Sequence, residues 1–228
     1  MTKKLLVALF AVGFVLSMAS QGQAIIQGSG HDFTLYGPPM AIGPDGQAQL
    51  CVSCHTPHNA DPLMLVVPLW NHETTSELFI PYDNTLSTQD SASNPPAGVS
   101  LACLSCHDDA TNMDAYGAAI GLGTGTLQGL GGPATAALGT DLSNDHPISI
   151  AYDAGLIALD LELTAPAVAP SNIVAPGGTT IAADLLFADQ LECASSHDVH
   201  DTGTDPASGY LLKVPMLNSQ LCTTCHIK

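Results

Sequence analysis

Three five-residue motifs constrain this chain more than anything else in it. Cys51-Val-Ser-Cys54-His55, Cys103-Leu-Ser-Cys106-His107 and Cys222-Thr-Thr-Cys225-His226 each match the C-x-x-C-H pattern of c-type haem attachment. The spacing has a mechanical reason. Two thiols three residues apart on one turn reach the two vinyl groups of one porphyrin, and the adjacent imidazole swings beneath the ring to bind iron. With nine histidines in 228 residues, three C-x-x-C pairs that are all followed by His arise by chance about once in ten thousand chains.

Other chemistries of paired cysteines fit less well. A zinc site does not require His after every pair, and structural zinc belongs more to reducing compartments. Disulfides suit an exported chain, but seven cysteines are an odd number and six of them sit in close pairs. A thioredoxin-like motif does not recur three times.

The seventh cysteine opens a damaged fourth copy. Cys193-Ala-Ser-Ser196-His197 keeps the first Cys and the His, with Ser where the second thiol belongs. A hydroxyl forms no thioether, so a haem here hangs from Cys193 alone and from the iron bond to His197, or the site holds none.

The histidines reveal an internal repeat. The first half, about 25–130, runs His31, then Cys51 to His55 with His58 three residues on, then Cys103 to His107. The second half, about 131–228, runs His146, then Cys193 to His197 with His200 three residues on, then Cys222 to His226. His55, His107, His197 and His226 are the proximal iron ligands in this register. His31, His58, His146 and His200 are candidates for the opposite faces, so eight imidazoles cap four irons. His58 and His200 each lie on the same side of the porphyrin as the preceding His, so each must serve a neighbouring haem, with one close pair expected per half. His72 has no counterpart and is either a spare surface imidazole or a replacement ligand.

The first 24 residues form a secretory signal: Lys3 and Lys4, an apolar run from Leu5 to Met18 too short to span a bilayer, and a small-residue cleavage site at Gly22-Gln23-Ala24. No Cys follows the cleavage point to carry a lipid, and no second membrane segment follows it. About 204 residues remain as one domain, 25–228, in which two lysines face 21 carboxylates, a net charge of −19. Such a chain repels phosphate backbones, which argues against nucleic-acid partners. The expected location is extracellular or on the cell surface, with the periplasm as the alternative.

Regular structure is expected only in short pieces. Eight glycines break residues 115–140, and Pro166, Pro170, Pro176, Gly177 and Gly178 break 165–178. Strands are expected at Ile148 to Tyr152 and Tyr210 to Val214, with a helical turn or two at Ala182 to Gln190. Aromatic residues are only 5% of the chain, so four porphyrins, about one per 51 residues, substitute for much of a core. Phe33, Tyr36, Trp70 and Phe187 are expected to pack against haem faces or in local clusters.

These residues resemble the paired-CxxCH multihaem cytochromes c of anaerobic and metal-respiring bacteria, in particular the tetrahaem filament-forming cytochromes. The resemblance rests on Gly30-His31-Asp32-Phe33, Cys51 to His58, Pro68-Leu69-Trp70-Asn71-His72, Cys103 to Asp108, Asp141 to Ile150, Cys193 to His200 and Cys222 to His226. Ser196 is the departure. The resemblance implies a mostly irregular multihaem cytochrome c fold, with short helices and few short strands wrapped around a haem stack. It also implies subunits joined into an extracellular homopolymer for anaerobic respiration, passing electrons to redox proteins or extracellular acceptors, with His31 as the ligand donated across the joint.

Function follows from the coordination. Irons with both faces taken have no open position, so outer-sphere electron transfer is expected and enzymatic turnover is not. A monomeric periplasmic electron shuttle is the first alternative. A multihaem reductase, built on an iron lacking its second His, is the other.

Overall fold

A computed structural model describes residues 26–36, 49–82, 96–117, 125–173, 178–200 and 211–227. The expected signal segment lies outside these residues, as does Tyr210 of the expected strand. Among them the regular elements are few and short. Helix α1 spans Gly98–His107, α2 Ala154–Leu159, α3 Ile181–Asp184, α4 Cys193–Ser196 and α5 Gln220–Cys225. Strands β1, Ile150–Ala151, and β2, Gln190–Leu191, pair antiparallel, and 3-10 turns cover Phe33–Tyr36 and Leu217–Ser219. No helix among the described residues is long and apolar enough to cross a membrane.

Local chemistry sets these boundaries. The Asp153 carboxylate accepts from the backbone N–H groups of Gly155 and Leu156 and starts α2. Thr180 starts α3 by accepting from Ala183. At α4 the Glu192 side chain accepts from the Ser195 backbone, while Ser195 Oγ accepts from Glu192 N–H at 2.8 Å.

Three sequence expectations are corrected here. The strand expected at Ile148 to Tyr152 shrinks to two residues, because Ser149 takes a left-handed φ of 55°. The helix expected to run to Gln190 ends at Asp184, and Ala188 and Asp189, at φ 52° and 62°, turn the chain back into β2. Of the strand expected through Val214, Leu212 alone forms a bridge, to His197, with Leu211 at φ 54° beside it. Helix α1, the longest element among the described residues, has no local apolar periodicity to announce it.

The main core lies in the second half, where Tyr152, Leu156, Leu163, Ile181, Leu185 and Leu186 pack together. The first half holds two smaller patches, Phe33 with Met113 and Met64 with Trp70 and Ala102, and a third, Phe79 with Leu104 and Leu142, crosses into the second half. Cys54 borders the first two, and Cys106 borders the first.

A polar seam joins the halves. Glu192, 3% exposed, reaches from the start of α4 to α1 and accepts from Ser100 N–H, Ser100 Oγ and Ser149 Oγ. Ser100 Oγ in turn accepts from Cys193 N–H at 2.9 Å. Gly98 permits this approach. Its φ is +60°, and a Cβ there would lie 2.6 Å from a Glu192 carboxylate oxygen.

Candidate functional site

The four cysteine motifs share a backbone device. At the first, Cys54 and His55 both donate N–H to Cys51 O, closing one turn. At the third and fourth, His197 donates to Cys193 O and His226 to Cys222 O. After the turn the histidine becomes extended and pairs with a distant segment: His55 with Trp70, His197 with Leu212 and His226 with Leu163. His107 ends α1 and is held differently, its carbonyl accepting from Leu138 and Gly139. The turn at Cys193 is intact although Ser196 replaces a thiol, so the substitution leaves the local backbone in the form of the complete motifs.

Carbonyl groups fix the imidazole tautomers. His55 Nδ1–H donates to Pro68 O at 2.6 Å and His107 Nδ1–H to Ala136 O at 2.6 Å. His72 donates to Glu73 O at 2.8 Å and His146 to Pro147 O at 3.1 Å. A carbonyl only accepts, so each Nδ1 carries the proton and each Nε2 presents a bare lone pair, the form a metal binds.

Six of the imidazoles come together in twos, with ring planes at 54°, 20° and 77° to each other. The ring centres of His31 and His107 lie 6.0 Å apart, those of His55 and His200 6.0 Å, and those of His146 and His226 6.4 Å. Each pair joins one motif histidine to one of the four additional histidines of the repeat. An iron between two imidazoles spans two metal–nitrogen bonds of about 2 Å and roughly 1 Å more inside each ring, which places the ring centres about 6 Å apart. The donor set and its spacing therefore fit a bis-histidine metal centre.

Two details go beyond the sequence register. His200 faces His55, so this pairing crosses between halves rather than closing within one. His31 faces His107 of its own chain. Burial, reinforced by His107, His197 and His200 nearby, lowers the His31 pKa from 6.5 to about 4, which keeps the ring neutral. His58, His197 and His200 are exposed, with Asp198 3.9 Å from His200 Nδ1.

His72 is not a surface residue. It is 3% exposed, its ring lies 6.2 Å from that of Trp70, and its Nε2 is buried without a hydrogen-bond partner. The Glu73 carbonyl has given it the tautomer of a ligand.

The thiols are also grouped. Cys54 is raised to about 11 by burial and then by Cys51, and burial pushes Cys106 up still more strongly, with Cys54 and Asp108 adding to it. Across the α1–α4 seam the neighbouring Cys193 thiol, with burial, pushes Cys103 up, while Cys103 lowers Cys193.

Sequence reasoning found every histidine in these pairs but missed what holds them. The Pro68 and Ala136 carbonyls and the Ser100–Glu192–Ser149 network carry no metal-binding signature. Only Glu192-Cys193-Ala194-Ser195, polar at the first and fourth positions of a turn, offers a local hint of a cap. No protein-family model and no curated protein sequence matches this chain.

Proposed function

We propose that this chain is an extracytoplasmic electron-transfer protein carrying four c-type haems, each iron held between two histidines. The observation that carries the reading is the three imidazole pairs at 6.0–6.4 Å, each uniting a motif histidine with a repeat-related partner. His31 and His107 hold one iron, His55 and His200 a second, and His146 and His226 a third. His200, three residues after His197, faces His55. The reciprocal assignment sends His58, three residues after His55, to the iron of His197.

In this reading Cys51 with Cys54, Cys103 with Cys106, Cys222 with Cys225, and Cys193 alone tether the four groups. The haem, when bound, supplies a one-electron couple. The protein's residues supply the rest. Two imidazoles per iron leave no site for substrate, the Pro68 and Ala136 carbonyls hold the rings in ligand form, and reciprocal ligation keeps the His55 and His197 sites adjacent.

Six of the eight ligands meet in pairs within one chain, His31 with His107 among them, which in this reading makes His31 a ligand of its own subunit rather than a donor to the next. That supports a self-contained carrier, the shuttle reading. Assembly into an extracellular filament, as the resemblance implies, then rests on contact between terminal haems without a shared ligand.

Intact mass and a reduced-minus-oxidised spectrum of the exported protein test the proposal. Four haem increments and sharp low-spin bands are expected, with no carbon monoxide binding to the reduced form. A colourless protein overturns it, and carbon monoxide binding at one iron favours the reductase alternative.

A further inference from the structure

We propose that Lys213 holds a fixed positive charge beside the third haem site, that of Cys193 and His197, and raises the reduction potential of that haem alone among the four. The inference rests on the electron-transfer reading and adds to it a reason for the electron to favour one site. In an exported chain with two lysines, no arginine and 21 carboxylates, Lys213 is the one lysine or arginine among the described residues. Its backbone is tied to the third motif. Lys213 N–H donates to Ser196 O at 2.9 Å and Asp198 N–H to Leu211 O at 2.7 Å, one bond on each side of the bridge between His197 and Leu212.

The side chain is held by the approach to the same motif. Lys213 Nζ lies 5.2 Å from the centre of the Phe187 ring. Phe187 is set by a tight hairpin, exchanging two backbone hydrogen bonds of 3.0 Å with Gln190, and the chain then runs through β2 into Glu192 and Cys193. A cation over an aromatic face is attracted by the ring quadrupole and needs no counter-ion there. Among the described residues Lys213 forms no ion pair, and it is half-buried. Burial is the largest influence on its pKa, which it lowers, with Asp198 and Asp184 acting in the opposite direction. A charge partly removed from water is poorly screened, so its field reaches the neighbouring site.

Among the described residues the other motifs have no lysine or arginine beside them, only acids. Asp61 N–H donates to Trp70 O, and Trp70 is the bridge partner of His55. Asp108 follows His107, and Glu162 O accepts from Ile227, next to His226. The third motif has acids too, Glu192 and Asp198, and is the one that adds a cation. When an electron passes from a neighbouring haem to the third, the donor iron goes from ferrous to ferric and the third from ferric to ferrous, so the charge of the third site falls by one. A nearby positive charge favours that product. Its removal should shift the electron equilibrium away from the third haem by roughly 3- to 10-fold, the scale of one partly screened unit charge.

The test is a redox titration of the haem-loaded, full-length protein followed in the visible spectrum. A haem attached through one thioether keeps a vinyl group conjugated with its ring and absorbs at longer wavelength than its neighbours, so the third haem is followed by itself. Ser196→Cys, which restores the second tether, should move that band to the position of the others. Lys213→Gln should lower the midpoint of the long-wavelength component and leave the other three in place. Lys213→Met, which keeps the stem over Phe187 without the charge, should do the same, and Lys213→Arg should hold the wild-type midpoint. A long-wavelength midpoint that neither neutral variant moves, or an equal fall at all four haems, overturns the proposal. An intact mass with three haem increments also overturns it and leaves the electron-transfer reading standing at the complete motifs, whereas a colourless protein defeats that reading itself.

Discussion

The two halves of the repeat carry the same ligand order, yet they are stabilised differently. In the second half six buried side chains around Ile181 and Leu185 form one cluster, which Cys225 touches only at its margin. Tyr152 ties that cluster to α5 by donating its hydroxyl to Cys225 O at 3.2 Å. The first-half apolar side chains fall into two small patches that meet at Cys54 and a third, Phe79 with Leu104, that closes on Leu142 of the second half. Phe33 with Met113 packs against Cys54 and Cys106, and Met64 with Trp70 packs against Cys54. One half contains a core of its own, and the other holds small patches around its cysteines, which the haems of the proposal would complete.

The largest expected effect tests this contrast directly. In haem-free protein, amide hydrogen exchange should be fast through residues 49–82 and remain slow at Tyr152, Leu185 and Leu186. Equal protection in both halves breaks the comparison.

Core truncation sharpens it. Ile181, fully buried in the second-half cluster, should lose about 2–5 kcal/mol on Ile181→Ala whether or not haem is attached. Met64→Ala should cost a comparable amount only in the haem-loaded chain. Urea unfolding of the four samples measures both. A Met64→Ala loss that does not depend on haem shows that the first-half patches are ordinary core.

The smallest expected effect is a shift in acid sensitivity. His31 is lowered from 6.5 to about 4, chiefly by burial. The ring is therefore neutral in the folded, metal-free chain through the range where an ordinary imidazole titrates, and takes up a proton as the pH falls through about 4. In haem-free protein, the His31 ring resonances should hold from pH 7 to pH 5 and shift near pH 4. A shift by pH 6, read by nuclear magnetic resonance across a pH series, shows that the shell around His31 does not exclude water.

The motifs were legible because their logic is local. A thiol pair and an imidazole within five residues make a single turn, and the structure closes those turns at Cys51, Cys193 and Cys222. Most of the secondary structure was not legible. Left-handed residues such as Ser149, Ala188, Asp189 and Leu211 cut short the strands and helices that apolar runs suggested. Helix α1 is held by Glu192, far away in sequence.

The sequence by itself determined the chemistry on offer: how many thiols and imidazoles there are, their spacing, and the repeat that puts them in register. Only the tertiary structure decided which groups meet. The rings of His55 and His200 come together across the two halves, and those of His31 and His107 within one. The physical reason is range. A turn is set by bonds between near neighbours and is written in adjacent residues. A 6 Å approach between rings from opposite halves depends on how α1, α4 and the Pro68–Asn71 segment pack, and no periodicity in the chain encodes that.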